Sequence, residues 1–124
     1  MARQFAALRE DIPSGTHRIV EIEGRSIGIY NIKGDYYAIA NYCPHEGAEL
    51  CKGQVCGTTL PSKVSEFVYG RDQEIVRCPW HGWEFDIKTG KSLFNDRVRT
   101  RKYALEIEND EIYLVIGRGG SPDG

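Results

Sequence analysis

Two short stretches decide how this sequence is read: Cys43-Pro44-His45-Glu46-Gly47-Ala48-Glu49-Leu50 and Cys78-Pro79-Trp80-His81-Gly82-Trp83-Glu84-Phe85-Asp86. As a pattern they are C-x-H, a gap of 32 residues, then C-x-x-H. Each joins one Cys to one His in a Pro-containing segment followed by Gly (Gly47, Gly82), a composition that ends a strand in a tight loop. Two such loops on neighbouring hairpins bring two thiolates and two imidazoles to one point. Four unrelated structural residues would not repeat this arrangement.

The segments around the loops have strand composition and turn punctuation. Residues 19–22 and 26–30 flank Glu23-Gly24-Arg25 as a hairpin, and residues 36–40 follow the turn Lys33-Gly34-Asp35. Residues 74–77 and 83–86 bracket the second Cys/His stretch, and Thr89-Gly90 marks a further turn. Residues 103–108 and 111–116 close the chain as a hairpin around Asn109-Asp110. No window of eleven residues or more keeps a 3.6-residue apolar repeat, so the expected class is all-β, a sandwich or small barrel.

Composition sets the outer limits. The 124 residues predict one domain spanning 1–116, with a polar, Gly-rich tail at 117–124 that is expected to fray. At 40% hydrophobic and 27% charged the chain is an ordinary globular one rather than a disordered one. A net charge of −2 with both signs interspersed points to neither nucleic acid nor membrane as partner. No apolar run is long enough to span a bilayer, and the first residues lack the apolar core of a signal peptide. The four Cys are therefore placed in a reducing cytoplasmic setting, where metal ligation is favoured over disulfides.

Two metal centres suit two Cys and two His: a tetrahedral structural zinc, or a [2Fe-2S] cluster with the cysteines on one iron and the histidines on the other. Common zinc fingers pair Cys with Cys and His with His along the chain. Here each loop supplies one of each, which suits two irons. At this point the sequence resembles the Rieske family, whose two cluster-binding loops are similar to the two stretches quoted above. With Thr89-Gly90 and the closing hairpin, the resemblance to soluble Rieske ferredoxins covers nearly all of residues 3 to 116. It implies a Rieske fold, an antiparallel β-sandwich with a small cluster-binding subdomain of two loops. It also implies that Cys43 and Cys78 ligate one iron, and His45 and His81 the other, of one [2Fe-2S] cluster.

That ligand set has an electrostatic consequence. Two ferric ions, two sulfides and two thiolates sum to zero charge, and neutral imidazoles add none. Potentials of such clusters accordingly lie at roughly −150 to +300 mV, against about −400 mV for plant-type ferredoxins. High-potential respiratory members carry an extra Cys in each loop and Ser and Tyr hydroxyls donating to the cluster. The matching positions here are Ala48, Trp80, Trp83 and Phe85, so the low end of the range is expected.

Other features fall outside the pattern. The gap between the loops is longer than is usual in soluble Rieske ferredoxins, and the excess falls at about residues 56–70, as a surface insertion or a docking surface. Cys51 and Cys56 are unassigned: plain thiols, a local disulfide, or a second metal or redox role. Arg97, Arg99 and Arg101, followed by Lys102, recur at period two and predict a basic ridge on one strand face, either solvated or docking an acidic redox partner. An oxygenase would need a second iron held by two His and a carboxylate, and after the cluster only His17 remains. No G-x-G-x-x-G follows a strand, so a nucleotide-using reductase is not indicated. The expectation is a complete one-electron carrier with no small-molecule substrate of its own, passing electrons from a reductase to a terminal oxygenase. A redox-sensing or assembly module, or a zinc-stabilised domain, is the alternative.

Overall fold

The computed structural model describes residues 2–44, 48–61, 67–79, 83–93 and 97–116; for Ala2, Gln54 and residues 56–61 and 67–73 it describes the backbone alone. Nine strands lie among these residues: β1 (Ala2–Leu8), β2 (His17–Ile22), β3 (Arg25–Ile32), β4 (Asp35–Ala40), β5 (Gln54–Pro61), β6 (Phe67–Arg77), β7 (Glu84–Asp86), β8 (Lys102–Glu108) and β9 (Glu111–Ile116). They form a six-stranded sheet in the order β1-β9-β8-β4-β3-β2 and a three-stranded sheet β5-β6-β7. All pairings are antiparallel.

Local chemistry sets the hairpins. Ile22 pairs with Arg25, Ile32 with Asp35, and Glu108 with Glu111, so each loop has two residues. Both residues of every loop have positive φ: Glu23 and Gly24, Lys33 and Gly34, Asn109 and Asp110. That backbone matches the twist of the flanking strands, and Gly24 and Gly34 adopt it without steric cost.

β3 is the strand on which both cores rest, and its last six residues are all buried. Ile27 and Ile29 face one core, with Ala7, Ile12, Ala38, Tyr103, Ile112, Leu114 and Ile116. Tyr30 and Ile32 face the other, with Ile39, Cys43, Leu50, Cys51, Val76, Cys78, Phe85 and Ile87. The first core belongs to the large sheet; the second joins that sheet to the smaller one.

The order of strands defines a subdomain. β4 pairs directly with β8 through Ala38–Tyr103 and Ile39–Lys102, although residues 41–101 separate them in sequence. The whole intervening stretch, with both Cys/His loops and the three-stranded sheet, is thus an excursion from the large sheet. This is the sandwich with a small two-loop subdomain that the resemblance implies.

Three local differences from the sequence reading stand out. β1 was not anticipated; its run Ala-Arg-Gln-Phe-Ala-Ala-Leu lacks clear alternation, and pairing with β9 makes it a strand. The stretch at residues 56–70 includes paired backbone, with Thr58 opposite Gly70 and Pro61 opposite Phe67, and a register shift between Cys56 and Thr58. The arginine run lies outside the named strands, touching strand geometry only at the isolated bridge between Arg99 and Lys91. Arg97 and Arg99 are exposed, whereas Arg101 is half-buried with its guanidinium over the Tyr103 ring, 5.1 Å from its centroid. The expected fraying of residues 117–124 lies outside the described residues.

Candidate metal centre

Each loop is closed in the same way. The Cys43 N–H donates to the Ala48 carbonyl at 2.9 Å, and the Cys78 N–H donates to the Trp83 carbonyl at 2.7 Å. In both cases donor and acceptor are five positions apart, and in both the sequence places a His inside the span. Each bond closes the base of its loop. Cys43 and Cys78 are both buried, both outside any disulfide, and both members of the core between the sheets. His45 and His81 lie outside the described residues.

The loops are anchored by residues that the motif does not contain. Asn41, buried two positions before Cys43, accepts the Cys51 N–H on Oδ1 at 2.7 Å. Its Nδ2 donates to Ser26 Oγ at 3.0 Å and Glu49 Oε1 at 3.3 Å. One side chain thereby ties the first loop's entry, its exit and β3 together. The Thr100 hydroxyl donates to the Tyr42 carbonyl at 2.8 Å, fixing the residue before Cys43. Under the second loop, the Arg77 guanidinium donates to Glu84 Oε2 at 2.8 Å across a paired position. Gly53 packs against the Arg77 carbonyl so closely that a Cβ there would collide with it. The turn Leu50–Lys52 after loop one and the strand entering loop two therefore meet backbone to backbone.

Cys51 is accounted for by packing. It is a free thiol with no measurable exposure, pressed against Gly28, where any Cβ would strike its Sγ. Burial pushes its thiol up to about 11, against the ordinary 9.0. The Tyr30 hydroxyl is buried beside it without a hydrogen-bond partner among the described residues, and burial raises its ionisation well above the usual phenol value. A disulfide from Cys51 to Cys56 is not formed, since Cys51 is free; the Cys56 side chain lies outside the described ones. His17 is a satisfied structural histidine, its Nε2 bonded to the Cys51 carbonyl at 2.8 Å and its ring stacked on Tyr30 at 4.7 Å.

The donor chemistry fits a thiolate-ligated metal group. Two buried cysteines stand at equivalent positions of two matched loops in one apolar core, with no disulfide between them. Residue patterning singled out Cys43 and Cys78, which the fold buries in one core, and passed over Asn41, Thr100, Gly53 and Gly28. The visible signal for Asn41 was a lone amide between an apolar strand end and a loop Cys.

Comparison with known proteins agrees with this architecture. Residues 2–104 match the family described as Rieske [2Fe-2S] domain. The chain is 33% identical over 112 residues to the ferredoxin component of the naphthalene 1,2-dioxygenase/salicylate 5-hydroxylase systems of Ralstonia sp., covering 90% of this chain and 92% of the relative. It is 30% identical, at the same coverage of each chain, to the ferredoxin component of the naphthalene 1,2-dioxygenase system of Pseudomonas putida. The fold matches the ferredoxin of carbazole 1,9a-dioxygenase from Nocardioides aromaticivorans IC177 with a TM-score of 0.71, over 92% of this chain and 97% of that one, at 21% identity. With two matched Cys loops carried on an excursion from an antiparallel sheet, and a family match across most of its length, the chain belongs to the Rieske [2Fe-2S] family.

Proposed function

We propose that this protein is the ferredoxin component of an oxygenase system, a one-electron carrier that takes electrons from a reductase and delivers them to a terminal oxygenase. The observation that carries the reading is the matched pair of loops, each closed by its Cys N–H on the carbonyl five residues ahead. The Ralstonia and Pseudomonas relatives, similar in length and named as ferredoxin components, support the same role.

In this reading Cys43 and Cys78 hold one iron of a [2Fe-2S] cluster, and His45 and His81 hold the other. The bound cluster supplies a single reversible electron at a potential set by its mixed thiolate and imidazole ligation. The protein's own residues do the rest. The apolar core around Cys43 and Cys78, with Phe85, Ile87 and Val76, excludes water from the thiolate side and lowers the dielectric there. The loop-closing bonds and the Asn41 and Thr100 anchors hold both loops in a fixed relation, so little structure has to reorganise when charge changes. Catalysis of oxygen chemistry belongs to the partner; this chain carries the electron. No helix among the described residues is long and apolar enough to cross a membrane, and we place the carrier in the cytoplasm with its partners.

Iron and sulfide analysis with absorption and EPR spectra tests the reading. Two irons and two sulfides per chain, with an EPR signal that appears on one-electron reduction, support it. A colourless protein with one zinc per chain overturns it. Cys43→Ser, Cys78→Ser, His45→Ala and His81→Ala variants should each lose the Rieske spectrum.

A further inference from the structure

We propose that the surface formed by Lys91, Arg97 and Arg99, with exposed Tyr42 and Leu93, is a docking face for an acidic protein surface surrounding the cofactor of the redox partner. The proposal rests on the carrier reading above and adds which surface engages the partner and with what charge.

Charge in this chain is unevenly placed. Among the described residues from Lys88 to Leu105 there are six basic side chains and no acidic one, although the whole chain has a net charge of −2. The stretch's one carboxylate, Asp96, lies outside the described residues. Lys91 and Arg99 face each other directly in an isolated antiparallel bridge, and both are exposed. Like charges opposite one another across paired backbone cost stability. An anionic surface arriving from outside is attracted to both side chains.

Hydrogen bonds place this basic segment at the cluster end. Thr100, next to Arg99, donates to the Tyr42 carbonyl at 2.8 Å, one residue from Cys43. On the other side Ser92 N–H donates to the Val98 carbonyl and Leu93 N–H to the Glu84 carbonyl, each at 2.9 Å. Glu84 follows Trp83, which closes the second loop. The basic segment therefore bridges the anchor points of both loops. Of the four large apolar side chains exposed among the described residues, two border these loops: Tyr42 at 54% and Leu93 at 38%. An aromatic contact bordered by cations is the composition of a docking site that orients by charge and seats by apolar contact. Arg97 and Arg99 make local interactions and still remain exposed, as a charged rim requires.

The test uses the reduced holoprotein and two haem proteins of opposite surface charge as electron acceptors, followed by stopped-flow at low salt. Cytochrome b5 presents carboxylates around its haem edge; cytochrome c presents lysines. The proposal expects transfer to cytochrome b5 to slow as ionic strength rises, and the Lys91→Gln/Arg97→Gln/Arg99→Gln variant to lose about tenfold or more of the low-salt rate. That variant should keep the wild-type EPR spectrum and potential, which shows that the cluster and fold are intact. Replacing Lys88 and Lys102 with Gln, on the same stretch but outside the proposed face, should leave most of the rate. Equal rates for wild type and triple variant with cytochrome b5, or faster transfer to cytochrome c than the charge-neutral variant shows, overturn the docking proposal and leave the carrier reading standing. Transfer to neither haem protein by a reduced, EPR-competent sample also overturns the docking proposal, while loss of the reducible cluster itself, read by iron, sulfide and EPR, overturns the carrier reading.

Discussion

Asn41 is the residue on which the first loop turns. Its amide satisfies the Cys51 N–H and reaches Ser26 and Glu49, all from a buried position. Asn41→Ala leaves the buried Cys51 N–H without an acceptor, a loss of about 1–3 kcal/mol. The expected result is a lower thermal midpoint and faster loss of cluster absorbance on warming. Cys51 makes a separate prediction through its pH dependence. Its thiol is raised from 9.0 to about 11 in the fold, so the folded state holds the proton more tightly than the unfolded chain. The stabilisation is present in full below about pH 9 and is lost as pH rises through about 11, by roughly 2 kcal/mol at that end. Urea unfolding from pH 8 to 11 should show this alkaline slope, and Cys51→Ala should flatten it. At neutral pH the native Cys51 should resist alkylation, because it is both buried and protonated.

At the scale of elements, the turn Leu50–Lys52 fits closely against β3 within the core that joins the sheets. Gly28→Ala would drive a methyl into the Cys51 Sγ, and overpacking of this kind costs about 1–3 kcal/mol. Adding Cys51→Ala should recover part of that loss, which a double-mutant cycle on the thermal midpoints would show as coupling. The hairpins at Glu23-Gly24, Lys33-Gly34 and Asn109-Asp110 were legible because two-residue turns have a local chemistry. The paired Cys loops were legible because their spacing is chemical. β1 was not, because it becomes a strand only by pairing with β9, a partner from the other end of the chain. The roles of Gly28, Gly53, Asn41 and Thr100 were also hidden, since each depends on a neighbour brought near only by the fold. The arginine run was legible as charge but not as geometry: Val98 is half-buried and Thr100 buried, yet Arg101 turns back onto Tyr103.

At the scale of the molecule, a large open sheet carries a smaller unit. The large sheet's edge strand β1 reaches the β2–β3 turn where Gln4 donates to Glu23 at 2.7 Å, and the excursion of residues 41–101 begins and ends on adjacent strands β4 and β8. Such an anchored subdomain can present its cluster at one end while the sheet supplies the stability. The positions equivalent to the extra cysteines and hydroxyl donors of high-potential members hold Ala48, Trp80, Trp83 and Phe85. Protein-film voltammetry should therefore give a midpoint in the lower part of the roughly −150 to +300 mV range, and a value well above about +100 mV would contradict this reading of the loops. The proposed ligand set of two histidines and two cysteines on one [2Fe-2S] cluster has a direct spectroscopic signature in pulsed EPR of the reduced holoprotein grown with isotopically labelled histidine. Nitrogen couplings from two histidines at one iron are expected; a [2Fe-2S] signal without histidine coupling rules out His45 and His81 as ligands.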